Sequence, residues 1–442
     1  MKTTTFNRRL LKTLQVVVAL LASAAVSAEF TGPEQRMIDW IDVHAEDANA
    51  LLAETVNIGS GTMNHEGVRE VGRVMRRELD ALGLDTEWIE LPPEMNRAGH
   101  LFGRKDGTGR KFLLIGHLDT VFEAHEAFQS YRREGNVAHG PGVTDMKSGN
   151  VIMVYALKAL DHIGALGNLP VVLAYTGDEE EPGSPLAVTR RDLVEAGKWA
   201  DVALGFEAGV TEEGADWATI ARRSSSDWIL TVTGMQAHSS GIFSEERGAG
   251  AIFEAARILN AFYEEVRGEE YLTFNAGTIQ GGTDVEYDPQ QLRGSTFGKT
   301  NVIPRTVIVP GGIRTISDEQ LERARDKMRA VVQRNLPHTS ASIEFRDGYP
   351  SMAPTDGNRH LQSVLSEINV ALGRGPMPEL DPIKRGAADI SFVAPYTDAL
   401  AGLGAVGEGG HTPNESLDLA TMPLAIKRAA LLIYRLHGEA AE

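Results

Sequence analysis

Not one of the 442 residues is a cysteine. Disulfides and thiolate ligands are thereby excluded, so any metal has to be held by His, Asp and Glu, which points to zinc, cobalt or manganese. Basic residues are also scarce: 43 Lys and Arg stand against 61 Asp and Glu, a formal net charge of −18. That sign makes nucleic acid and anionic membranes poor partners. Long apolar runs are missing as well. The run near the N-terminus, Leu14 to Ala22, falls short of the roughly 20 residues a membrane-spanning helix needs. It follows Lys2, Arg8, Arg9 and Lys12 and gives way to Val26-Ser27-Ala28, which is the pattern of a secretory signal cleaved after Ala28. Cleavage removes four basic and no acidic residues, taking the charge from −18 to −22. The expected address is periplasmic or extracellular, with no membrane attachment after cleavage.

What is present is apolar material, 42% of the chain, enough for a sizeable core; the length suggests two domains. An apolar run from Phe112 to Ile115 delivers Gly116-His117-Leu118-Asp119-Thr120. It reads as a buried strand, and ligands in open α/β sheets gather at the carboxyl ends of strands. His117 is then a candidate metal ligand, with Asp119 behind it as the partner that orients its ring. The glycine-rich loop His139 to Gly149 contains Asp145 and precedes a helical run over Asn150 to Leu160. It lacks the Gly-Lys-Ser/Thr order of a phosphate loop. A carboxylate at that helix entrance, held ionised by backbone donors, can offer one oxygen to each of two metals.

The apolar strand Pro170 to Tyr175 ends in Thr176-Gly177-Asp178-Glu179-Glu180-Glu181. Consecutive acids are usually solvated, but directly after a buried strand their repulsion is costly unless cations neutralise it. The next strand, Val202 to Phe206, ends in Glu207. Helices are expected over Glu34 to Val56 and Glu66 to Leu82, with a strand at Thr86 to Leu91, so helix and strand alternate as in a mixed or parallel sheet covered on both faces.

From about Ala221 the pattern changes. Strands are expected at Trp228 to Thr233, Tyr271 to Ile279, Val302 to Val309 and Ser342 to Phe345. Helices are expected over Gly248 to Val266 and, after the capping box Ser317-Asp318-Glu319-Gln320, to about Asn335. This βαββαβ order is a complete small unit. The chain then returns to helix and strand, with Lys384-Arg385-Gly386-Ala387-Ala388-Asp389, Gly409-Gly410-His411 and a closing helix over Met422 to Leu436.

Taken in order, these motifs resemble those of the dinuclear zinc metallopeptidases that include bacterial glutamate carboxypeptidase, aminoacylases and several dipeptidases. The resemblance covers nearly all of the chain after residue 28. It implies an α/β catalytic domain, a mixed sheet flanked by helices, in two parts (29–220 and 348–442), with an inserted ferredoxin-like βαββαβ lid and dimerisation domain (221–347). It implies two zinc ions, cobalt or manganese being possible, with Asp145 bridging, His117 and Glu207 completing one site, and Glu180 and His411 the other. Glu179 is implied as general base. His238, in Gly234-Met235-Gln236-Ala237-His238, is implied to stabilise the oxyanion in the partner subunit of a homodimer. Asn301 and Arg314 match substrate-binding positions of the lid.

Departures from the family pattern are informative. No Asp stands two residues before Arg314, where family members often have one, and Arg385 replaces part of a glycine-rich segment, which can charge or narrow the substrate pocket. Glu207, where aminopeptidase relatives tend to have Asp, favours carboxypeptidase or acylase chemistry. The expected activity is metal-dependent hydrolysis of an amide beside a free carboxylate, with a small peptide as substrate; an aminoacylase acting on N-acyl amino acids, or a dipeptidase, is the alternative. A non-catalytic metal or peptide binder is disfavoured, because a binder needs neither Glu179 nor His238.

Overall fold

The computed structural model describes residues 30–289 and 291–439. The expected signal segment lies outside the described residues.

Strands β1 (Asp85–Ile89), β2 (His100–Lys105), β3 (Phe112–His117), β4 (Val171–Thr176) and β5 (Val202–Gly205) come from the first part of the chain. The middle part contributes β6 (Ser225–Gly234), β7 (Thr273–Ala276), β8 (Thr306–Arg314) and β9 (Thr339–Tyr349); β10 (Asp398–Leu400) follows the return. Two principal sheets result. The first has the order β1-β2-β4-β3-β5-β10, with the β1/β2 and β2/β4 pairs antiparallel and the rest parallel. Its central strands are apolar throughout because both faces are covered. Phe112 and Leu114 join one core with the helices Ser148–His162 and Thr421–Glu439, while Leu113 and Ile115 join a second with the helix Arg191–Trp199.

That arrangement locates the site. The connection from β3 to its neighbour β4 runs through the helix Ser148–His162 in the first core. The connection from β4 to β5, on the other side of β3, runs through the helix Arg191–Trp199 in the second. The chain thus leaves adjacent strands toward opposite faces, and a crevice opens at their carboxyl ends. His117, Thr176 and Gly205 finish those strands.

The second sheet has the order β7-β8-β6-β9, antiparallel throughout, with the helices Gly250–Ala261 and Asp318–Val332 packed on a separate core that includes Trp228, Leu230, Ile258, Val307 and Met328. This is the ferredoxin-like order that the βαββαβ pattern implies. Between β7 and β8 lies an additional hairpin, Asp284–Asp288 paired with Arg293–Phe297, where the sequence suggested only a connection. The single helix expected from Glu34 to Val56 is two, Gly32–Val43 and Ala45–Val56. His44 breaks it: its ring stacks on Trp40 at 4.1 Å and Nδ1 lies 2.8 Å from the Trp40 carbonyl oxygen. Strand β8 starts later than expected, at Thr306, and runs on to Arg314. A small sheet joins Arg132–Glu134, Val137–His139, Ser416–Asp418 and Gly407–Glu408, bringing the C-terminal loop beside the loop that carries Asp145.

Candidate active site

At the end of β3 the His117 ring is buried, with Nδ1 3.0 Å from the backbone oxygen of Asp119 and Nε2 3.2 Å from Asp145 Oδ1. The orienting contact is therefore mainly the Asp119 carbonyl; its carboxylate Oδ1 stands farther off, at 3.5 Å from Nδ1. That carboxylate, fully buried, has other partners. Oδ2 accepts the Thr62 hydroxyl at 2.7 Å and the Glu180 N–H at 3.1 Å, and Oδ1 accepts the Glu179 N–H at 3.0 Å. Asp119 thus fixes the turn that bears both acids.

Asp145 presents its second oxygen to His411: Oδ2 lies 3.2 Å from His411 Nε2, which is also 3.1 Å from Glu180 Oε2. The two imidazoles hold the Asp145 carboxyl well below its ordinary range against the opposing effect of burial. His411 is pushed up to about 10 by Asp145 and Glu180. Burial raises Glu179 well above the usual carboxylate range; nearby Glu207, Asp389 and Glu180 push the same way and His117 opposes them.

These residues suit a divalent cation. His117, Asp145 and Glu180 each offer a ligand atom, all within 4.8 Å of one another. Glu180 Oε1 is buried without a hydrogen-bond partner, which is costly for a carboxylate oxygen unless a cation takes it. Glu207 is placed less simply than the sequence suggested. The buried Arg222 donates to Glu207 Oε2, so one of its oxygens is already engaged.

A network that sequence reasoning missed lies beneath Glu179. Arg190, 1% exposed, donates Nε to Asp389 Oδ1 at 2.6 Å, Nη1 to Asp178 Oδ1 at 2.5 Å and Nη2 to the Tyr349 hydroxyl at 2.7 Å. The Tyr349 hydroxyl in turn donates to the Glu179 carbonyl at 2.9 Å. A single Arg in an otherwise ordinary Thr-Arg-Arg stretch gives no sequence signal for this role.

Of the lid candidates, His238 and Asn301 are brought together with one another, and Arg314 stands apart from them. His238 bridges to Val302, and Ser239 N–H donates to the Asn301 carbonyl at 3.0 Å; among the described residues the exposed His238 ring is hydrogen-bonded to Ser240 alone. Among the described residues no hydrogen bond joins His238 or Asn301 to the candidate metal ligands. Arg314 ends β8 exposed, beside a cavity of about 300 Å³ that it shares with Ser225 and Asn275. Arg385 does approach the centre: it donates to the Ala208 carbonyl and, through Nε at 3.4 Å, to Thr219. Burial and the charge of Arg222 lower it to about 10, while Glu207 and Asp145 act in the opposite sense.

Residues 113–435 match the family model described as peptidase family M20/M25/M40. The chain belongs to that family. Family M20/M25/M40 relatives include carboxypeptidase G2 of Pseudomonas sp. (strain RS-16), 26% identical over 429 residues, spanning 94% of this chain and 96% of the relative. Succinyl-diaminopimelate desuccinylase of Dechloromonas aromatica (strain RCB) is 25% identical over 371 residues, 79% of this chain and 89% of that one. In fold, the chain is similar to a dinuclear metal-binding peptidase of the M20 family from Bacillus subtilis, with a TM-score of 0.60 at 16% identity, covering 90% of this chain and 99% of the other. The protein is a metal-dependent hydrolase of amide bonds.

Proposed function

We propose that this peptidase is a dizinc exopeptidase of carboxypeptidase type, hydrolysing the amide next to a free carboxylate and releasing a C-terminal amino acid. The observation that carries the dinuclear reading is the Asp145 carboxylate, with one oxygen 3.2 Å from His117 and the other 3.2 Å from His411. One anion between two imidazoles is the geometry a bridging ligand needs. Two divalent cations would be held by Asp145 between them, with His117 and the second oxygen of Glu207 at one site and Glu180 and His411 at the other. When bound, such cations would supply an acidified water and polarisation of the scissile carbonyl.

The chain's own residues do the rest. Glu179, its backbone fixed from both sides by Asp119 and Tyr349, takes a proton from the attacking water and returns it to the leaving amine. A raised pKa suits that exchange, because a base must also become an acid within one turnover. Arg385 supports the carboxylate requirement: a cation beside the metal ligands, partly desolvated, gains most from a carboxylate partner. His238, Asn301 and Arg314 belong to the lid and reach substrate only on assembly or closure, His238 acting on the partner subunit's substrate as an oxyanion donor. A homodimer through the lid is consistent with the exposed apolar side chains Ile252, Phe253 and Tyr263 there. The same reading holds units at 29–220, 221–347 and 348–442 and export through residues 1–28.

A substrate panel tests this. Dipeptides and N-acyl amino acids with identical C-terminal residues are compared with their C-terminal amides. Hydrolysis that requires the free carboxylate and prefers peptidyl over simple acyl donors supports a carboxypeptidase; the opposite preference makes the enzyme an aminoacylase, and cleavage of the amides removes the carboxylate requirement.

A further inference from the structure

Glu415 lies four residues beyond His411 and is fully buried, and among the described residues no basic side chain forms an ion pair with it, Lys147 acting on it only at longer range. Its carboxylate is occupied by three peptide N–H groups of one loop: Gly142 at 3.0 Å, Thr144 at 2.7 Å and Asp145 at 2.9 Å. The buried Lys147 ammonium, on the same loop, is turned instead to the Ile58 carbonyl at 2.8 Å. Burying a carboxylate is expensive, and three charge-assisted bonds to backbone donors offset part of that cost.

The loop so held is the one that carries Asp145, and the segment that holds it is the one that carries His411. These two candidate ligands are 266 residues apart in sequence. Their direct link is the imidazole–carboxylate contact, which gives way when both groups turn their lone pairs to a cation. Backbone pairing of Ser416–Asp418 with Val137–His139 joins the same segments farther out, and the Thr144 hydroxyl donates to the Ser416 carbonyl at 2.7 Å. Glu415 is the side chain that reaches the peptide group of Asp145 itself. The bend at the start of the loop requires glycine: Gly142 has φ +74°, and a Cβ there would lie 2.5 Å from Thr120 Cγ2.

From this geometry we infer that Glu415 is a positioning residue for the metal centre, a carboxylate clamp that sets the spacing of Asp145 and His411 and thereby the affinity of the Glu180/His411 site. The inference rests on the dinuclear reading above. A clamp that served only folding would stabilise the protein without discriminating between the two sites; a clamp on the ligand geometry weakens one site selectively when it is loosened.

The test uses Glu415→Gln in the full-length enzyme, which keeps the shape but turns an NH₂ toward peptide donors. Apo enzyme is titrated with Zn²⁺ calorimetrically and with Co²⁺ by its visible absorption. The wild type is expected to bind two ions; Glu415→Gln is expected to bind one as before and the other about 10- to 100-fold more weakly, with an altered cobalt spectrum. Glu415→Asp, which retains the charge but reaches fewer donors, is expected to fall between them and serves if the Gln variant does not fold. Two unchanged affinities in a folded variant, even with a lowered Tm, overturn the inference while leaving the dinuclear reading intact. A wild type that binds fewer than two ions overturns both.

Discussion

The Asp119 carboxylate accepts the backbone N–H of Glu179 at 3.0 Å from a fully buried position. Its other oxygen takes the neighbouring Glu180 N–H and the Thr62 hydroxyl, so one residue just past the His117 strand aligns the proposed base and a proposed ligand together. Asp119→Ala leaves those donors without an acceptor. Activity is expected to fall about 10- to 100-fold, with a comparable loss of metal affinity. Steady-state kinetics at saturating metal separate the two effects; wild-type kcat at saturation would leave Asp119 with a role in metal retention alone.

Glu179→Gln removes the proton acceptor while keeping both backbone contacts. We expect kcat to fall by about 10² to 10⁴ with metal content unchanged, the range for loss of a general base. Elemental analysis alongside turnover checks this, and substantial residual activity takes Glu179 out of the mechanism.

Arg190→Met strands two buried acids. Asp178 is already raised by burial, and Arg190 is the principal charge opposing that rise. Removing one partner of a buried ion-pair network costs about 3–5 kcal/mol. Urea denaturation should show this as a lower midpoint with unchanged slope. A variant as stable as wild type would mean that Asp178 and Asp389 find other partners.

The metal-free enzyme should bind cations more tightly as pH rises. His411, raised to about 10 by Asp145 and Glu180, is protonated at neutral pH in the apo protein. The sign follows from its raised value: the imidazolium contacts stabilise the apo form below that pH and are lost as pH rises through about 10. Each proton displaced by the metal gives about a tenfold gain in apparent affinity per pH unit. Competitive zinc titrations from neutral pH upward measure the slope; a flat profile means that the imidazole is already neutral.

The catalytic scaffold was legible in the sequence because its strands are buried on both faces. Phe112 to Ile115 and Val171 to Tyr175 read as apolar runs, and each is followed by acids or a histidine that solvation alone does not explain. The lid was legible for another reason, since alternation along Trp228 to Thr233 and the capping box at Ser317 are local signals. What stayed hidden depends on contacts between distant segments. Arg190 reaches Asp389 across 199 residues and Glu415 reaches Thr144 across 271, and no local pattern reports such pairs. Arg222 likewise gave no warning that it would share Glu207. The hairpin Asp284–Asp288 with Arg293–Phe297 was missed because Val285 and Tyr287 give only a short alternation, half-buried at best, and the partner strand is fully exposed with no alternation at all.

The proposed hydrolysis depends on two cations held at Asp145. That dependence is tested most directly by counting metal in the purified enzyme and following hydrolysis of a C-terminal peptide substrate before and after chelation. Close to two ions per chain, loss of activity with their removal, and recovery on adding zinc are expected. A fully active enzyme with its metal stripped, or one that never binds more than a single ion, would contradict it.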